Sequence, residues 1–204
     1  MIALTFDDGP DDVFTPRILD QLREQRVPAT FFVTGIMADR YPAVMQRIVD
    51  EGHAVASHGY RHIRYSAVTP EAIREDLDRN RRLLERYTGE PVPWFRPPYG
   101  ALDRLAATLV LEEGYRIVLW TIDTRDWMGR SAAEITETVL GEAHNGAIVL
   151  QHSASGGDVD LSGTVAALPR FIAGLRQRGF TFVTVPELLA ATRTAQGAGP
   201  QTRP

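Results

Sequence analysis

The chain alternates short, almost wholly apolar runs with longer stretches in which apolar residues recur every three to four positions. The first run, Ile2-Ala3-Leu4, leads into Thr5-Phe6-Asp7-Asp8-Gly9-Pro10 and ends on a Gly-Pro turn signal. Thr15-Pro16 reads as the N-cap and first residue of a helix carrying Ile18, Leu19 and Leu22 on one face. Residues 27–33 form a β-branched and aromatic run punctuated by Gly35, and 42–51 have helical spacing closed by Gly52. Residues 53–57 read as a strand running into His58-Gly59-Tyr60-Arg61-His62. Thr69-Pro70 then opens the longest helix, which ends at Gly89.

The alternation continues in the second half. Trp94-Phe95 is a brief strand entering Arg96-Pro97-Pro98-Tyr99-Gly100, and residues 102–113 are helical. Residues 115–122 read as a strand leading to Asp123-Thr124-Arg125-Asp126-Trp127, and Ser131-x-x-Glu134 is a capping box for the next helix. Residues 146–150 form an apolar strand ending in Gln151-His152. A helix over 165–178, a strand over 180–185 and a short helix from Pro186 complete the ordered chain, taken as one domain over 1–192 with a disordered tail over 193–204. About seven strand candidates, apolar throughout and separated by helices, predict a parallel α/β sheet, open or closed into a barrel.

Composition narrows the field. With 204 residues, 44% hydrophobic and 24% charged, the chain is an ordinary globular protein with room for a substantial core. A net charge of −4 gives no reason to expect nucleic acid as a partner, and the arginines at 79, 81, 82 and 86, interleaved with acids, read as a solvated helix face. The absence of cysteine rules out thiol catalysis, disulfides and Cys-based zinc sites. No run approaches the roughly 18 apolar residues of a membrane span, and the first residues lack the form of a signal peptide.

The chemistry collects at strand ends. Asp7-Asp8, His58 to His62, Arg96 to Gly100, Asp123 to Trp127, and His152 all follow strands, which in a parallel barrel is the rim where active sites are built. Two imidazoles and one carboxylate of the Asp pair suit a zinc-type site with an open position for water. The other carboxylate is then a candidate base, with Arg96 to hold and orient it. His152 is the candidate acid for a leaving group, with Asp123 to keep its imidazole protonated and aimed.

These motifs, Thr5 to Pro10 (TFDDGP), His58-x-x-x-His62, Arg96 to Gly100 (RPPYG), Asp123-x-x-Asp126-Trp127 and Leu150-x-His152, resemble in order and spacing the five motifs of the polysaccharide deacetylases, carbohydrate esterase family four. The resemblance implies a distorted (β/α) barrel of seven to eight mostly parallel strands. It implies Asp7 as general base and Asp8, His58 and His62 as ligands of one divalent metal, usually zinc, with cobalt or nickel accepted in some members. Arg96 would position Asp7, and the Tyr99 N–H would help stabilise the oxyanion. His152 would be the acid tuned by Asp123, and Trp127 and Leu150 would line the pocket for the acetyl methyl. One position departs from the pattern. The family often has Ser or Thr after the first histidine, where it braces the loop, whereas Gly59 here puts the loop's rigidity and its metal affinity in question. Asp8 is a true aspartate, which disfavours the muramic-acid deacetylase branch.

The expected activity is therefore metal-dependent removal of acetyl groups from N-acetylglucosamine units of chitin, chitooligosaccharides or peptidoglycan. O-deacetylation of xylan is the alternative chemistry, and a non-catalytic carbohydrate-binding scaffold the alternative class. The expected partner is a polysaccharide or oligosaccharide, and the protein is expected to be a monomer that is secreted or associated with the cell wall. Trp94 and Tyr65 are candidates for stacking on sugar rings, with simple packing as the equal alternative.

Overall fold

Strand β1 (Ile2–Asp7) is buried at every position and pairs in parallel on both sides, with β2 (Thr30–Val33) and β7 (Ala147–His152). In the computed structural model, which describes residues 1–155, 157 and 159–197, β3 (Ala54–Ser57), β4 (Trp94–Phe95), β5 (Arg116–Ile117) and β6 (Ile122–Asp123) complete a seven-stranded parallel sheet of order β5-β4-β3-β2-β1-β7-β6. Strand alternation divides its apolar residues in two. Ile2, Leu4, Phe6, Phe31 and Val149 pack outward under the helices, while Ala3, Phe32, Ala56 and Ile148 fill a smaller inner cluster.

The sheet is curled into a half-barrel. β5 and β6 lie at its opposite edges although only residues 118–121 separate them in sequence. The strand expected over 115–122 is thus two strands. Its middle crosses the seam, with Val118 N–H donating to the Phe95 carbonyl on one side and Thr121 N–H to Ile148 on the other. The strand expected over 180–185 reduces to one bridge between Phe182 and Ile2. Only that end of β1 is open, because pairing with β2 begins at Thr5, and the chain then turns into the last helix.

Among the described residues, eight helices cover the sheet: α1 (Phe14–Gln25), α2 (Gly35–Arg40), α3 (Pro42–Asp50), α4 (Pro70–Thr88), α5 (Arg104–Glu112), α6 (Ala132–Glu142), α7 (Ser162–Gln177) and α8 (Val185–Gly197). α4 starts and stops where expected, on a Thr69 cap and a left-handed Gly89, and the Ser131–Glu134 capping box is complete. α1 begins one residue before Thr15 because the Asp11 carboxylate accepts from the N–H groups of Val13, Phe14 and Thr15. α2 has no counterpart in the sequence pattern, where Gly35 reads as punctuation. α8 continues to Gly197, into the stretch expected as a tail from 193; residues 198–204 lie outside the described residues.

α7 contributes Leu168, Phe171, Ile172 and Leu175, all fully buried, to the outer core. Phe171→Ala should therefore cost about 3–5 kcal/mol of stability, measured by urea unfolding, and a cost below about 1 kcal/mol would show that the interface is not close-packed.

Candidate active site

The pairing of β1 with β7 sets Asp7 directly beside His152, and both face the barrel mouth. On a regular strand Asp8 would point the other way. It instead adopts φ 73°, in the left-handed region, which turns its carboxylate into the same cavity. Thr34 holds this turn, its hydroxyl donating to the Asp8 carbonyl (2.9 Å) and its N–H to Gly9 (3.1 Å).

His58 follows β3 and is buried. Its Nδ1 lies 2.7 Å from the Arg96 carbonyl oxygen, which can only accept, so Nδ1 carries the proton and Nε2 presents a lone pair. That Nε2 is 3.3 Å from Asp8 Oδ1, and His62 Nε2 is 3.1 Å from the same oxygen. Neither approach has hydrogen-bond geometry, and Asp8 Oδ1 is a buried carboxylate oxygen without a partner among the described residues. An anionic oxygen facing two imidazole nitrogens is the arrangement a divalent cation satisfies, and the three ligand atoms lie within 4.8 Å of one another. Burial by itself would raise the Asp8 carboxyl; with no cation present, protonation of the facing imidazoles would outweigh burial and hold the group well below the usual carboxylate range.

Arg96 is fully buried inside the barrel. Its Nη1 donates to Asp7 Oδ1 (2.6 Å) and Thr5 Oγ1 (2.8 Å), its Nε to the Val118 carbonyl (3.3 Å) and its Nη2 to that of Leu119 (3.2 Å). Asp7 is thereby anchored through Oδ1, and its Oδ2, 3.9 Å from His58 Nε2, faces the cluster.

The expectation that Asp123 tunes His152 is corrected. His152 Nδ1 lies 2.7 Å from Oδ1 of Asp126, and the His152 N–H donates to Asp126 Oδ2 (2.8 Å). Asp123 is paired in register with Leu150, two residues short of His152, and its Oδ1 accepts from the Arg125 N–H. The left-handed turn at Arg125 (φ 52°) carries the chain forward so that Asp126 reaches the histidine's level. Asp126 is buried, and its Oδ2 also accepts from the Thr164 hydroxyl (2.8 Å). Burial opposes a charge on His152, but Asp126, with Asp8 and Asp7 beyond it, pushes its pKa up to about 9.

Tyr99, Asp123, Trp127 and Leu150 line the same cavity, of about 460 Å³. Tyr99 sits at φ 62° with its ring edge-on to His62. The two stacking candidates do not reach the cavity. Tyr65 is buried against Phe95, and Trp94 packs into the inner cluster. Asp76, which the sequence pattern left as one acid among many on α4, is buried and bonded to the loop between the two histidines. The available signal was a polar residue on that helix's apolar face.

A parallel half-barrel with an Asp/His/His cluster, a second carboxylate and an aspartate-paired histidine at its C-terminal rim has the layout of barrel hydrolases, whose active sites are built at strand ends. The family model described as polysaccharide deacetylase matches residues 1–118, and the chain belongs to that family. A peptidoglycan-N-acetylglucosamine deacetylase of Bacillus cereus is 40% identical over 192 residues, covering 94% of this chain and 69% of that protein. A chitooligosaccharide deacetylase of Sinorhizobium fredii is 39% identical, covering 91% of this chain and 90% of its own length. The crystal structure of a peptidoglycan N-acetylglucosamine deacetylase in complex with 4-naphthalen-1-yl-N-oxidanyl-benzamide superposes with a TM-score of 0.87 at 41% identity, covering 92% of this chain and 86% of the other.

The two aspartates near His152 can be told apart without reference to activity. In chelator-treated protein, the His152 ring followed by NMR should titrate near pH 9. The midpoint should fall by at least about one unit in Asp126→Asn and stay in place in Asp123→Asn. A wild-type midpoint near 6.5 would remove the Asp126 pairing.

Proposed function

We propose that this protein hydrolyses N-acetyl groups of N-acetylglucosamine units in peptidoglycan, chitin or chitooligosaccharides. The observation that carries the reading is the register of β1 and β7, which sets a carboxylate and an imidazole side by side next to the Asp8/His58/His62 cluster. The names of the relatives support the substrate class, and such polymers would put the site of action outside the cytoplasmic membrane. No helix among the described residues is long and apolar enough to cross one.

Asp8, His58 and His62 would hold one divalent cation, zinc in the first instance, with cobalt or nickel as substitutes. When bound, such an ion acidifies water and polarises an acyl carbonyl. Asp7 supplies the base. Its Oδ1 is tied to Arg96, so Oδ2 is the oxygen free to accept a proton from the attacking water. Tyr99 lines the cavity, and its backbone N–H would serve as a donor to the oxyanion of the tetrahedral adduct. His152 supplies the acid. Asp126 occupies Nδ1, leaving the Nε2 proton for the departing amine as the C–N bond breaks, so that acetate and a free amino sugar result. Trp127 and Leu150 line the space assigned to the acetyl methyl.

Chelator-stripped protein given zinc or cobalt should release acetate from chitooligosaccharides or peptidoglycan, and stripped protein should release none. Release from acetylxylan alone would replace the amidase reading with the esterase one, and no release by metal-loaded protein from any of the three would overturn both. Asp7→Asn should keep the metal and lose about 10²–10⁴-fold in kcat, whereas His58→Ala should lose metal and activity together.

The alkaline side of the kcat/KM profile should follow His152. A histidine raised to about 9 stays protonated through neutral pH, so activity is kept below that value and falls as pH rises through it. In Asp126→Asn the fall should begin at lower pH, and an unmoved profile would remove His152 as the acid.

A further inference from the structure

Between the two histidines runs a loop that begins with Gly59, where a bracing side chain is absent. The carboxylate of Asp76, one of the most deeply buried acids in the described structure, reaches this loop from α4. Its Oδ2 accepts from the Tyr60 N–H (2.8 Å) and the Tyr65 hydroxyl (2.9 Å), and its Oδ1 from the Arg61 N–H (3.1 Å) and Arg61 Nε (3.0 Å). Two consecutive amides immediately before His62 therefore end on one carboxylate, and both of its oxygens are fully used.

Gly59 makes this approach possible. It lies at φ 76°, and a Cβ placed there would come within 2.8 Å of Asp76 Oδ2 and 3.1 Å of the Tyr65 hydroxyl. A side chain at 59 and the carboxylate of 76 compete for one space. From the other side, the first N–H groups of α2 complete the loop's backbone bonding, Gly35 donating to the Gly59 carbonyl and Ile36 to that of Tyr60.

We infer that Asp76 is a positioning residue for the metal centre: its carboxylate fixes the loop that aims His62 Nε2 at Asp8, doing from a neighbouring helix what a residue at 59 cannot do here. The inference rests on the reading of Asp8, His58 and His62 as a metal site. Hydrogen-bonded groups behind metal ligands are typically worth about 10- to 100-fold in affinity. The effect should appear in metal retention before it appears in folding.

The test is zinc affinity by chelator competition, at a temperature where circular dichroism shows each variant folded. Asp76→Asn should weaken zinc binding by about 10-fold or more, and Asp76→Ala further. Saturating zinc should restore much of the kcat of Asp76→Asn. Gly59→Ser, which introduces the bulkier residue against Asp76, should weaken zinc rather than strengthen it. Leu77→Ala, a cavity on the same buried face of α4, should lower the melting temperature and leave zinc affinity unchanged. Wild-type affinity in Asp76→Asn, or an equal loss in Leu77→Ala, would overturn the role of Asp76 while leaving the metal site intact. A wild-type protein that binds no zinc would overturn the site itself, and this inference with it.

Discussion

The structure depends on one buried ion pair. Arg96 lies inside the half-barrel with no exposed surface, and a guanidinium in such a place is tolerable only when its donors are answered. Four of the five are: by Asp7, by Thr5, whose hydroxyl in turn donates to the Val149 carbonyl, and by the carbonyls of Val118 and Leu119, with the ring of Phe32 3.9 Å from the guanidinium carbon. The two carbonyls belong to the segment that crosses between the sheet edges. The same side chain therefore closes the seam that β5 and β6 leave open and fixes the carboxylate beside the Asp/His/His cluster. Burial draws its pKa down, against the pull of Asp7. Removing either partner would leave the other charged and unpaired in the interior, a larger loss than the net worth of the pair.

Arg96 also acts through its backbone. Its carbonyl receives the His58 Nδ1 proton, which decides the tautomer and leaves Nε2 bare towards Asp8. One residue at the end of the short strand β4 thus orients both the carboxylate proposed as base and one of the proposed ligands. On the far side of the cavity Asp126 has the matching function, binding the ring and the backbone of His152 together.

Much of this was legible in the sequence, because it is carried by features local to the chain. Apolar runs separated by helical spacing announced the parallel α/β layers, and five polar clusters at strand ends announced the rim. What local pattern could not supply was lateral register. Asp123 was the expected partner for His152, and only its pairing with Leu150 reveals that it falls two residues short. The apolar stretch over 115–122 resembles one strand, because periodicity does not record that its two ends bond to opposite edges of the sheet. Asp76 was hidden for a related reason. In a helix rich in charge, an inward-facing acid stands out only when the partner backbone is seen.

The rim also departs systematically from the regular backbone that supports it. Of the five non-glycine residues at positive φ among the described residues, Arg26 ends α1, and the other four, Asp8, His62, Tyr99 and Arg125, belong to the site or carry one of its members. Such conformations cost about 1–3 kcal/mol each. The reason lies in the period of the strand. A β-strand offers only alternate residues to one face, so it can aim Asp7 or Asp8 into the cavity but not both. Turning the chain left-handed at Asp8 breaks that alternation, and the turn at Arg125 does the same work for Asp126. The regular sheet beneath, buried on both faces, supplies the stability that lets these local conformations persist. Two adjacent carboxylates can then face one pocket with different surroundings, one anchored to a guanidinium and the other opposed to two imidazoles, and so carry different chemistry.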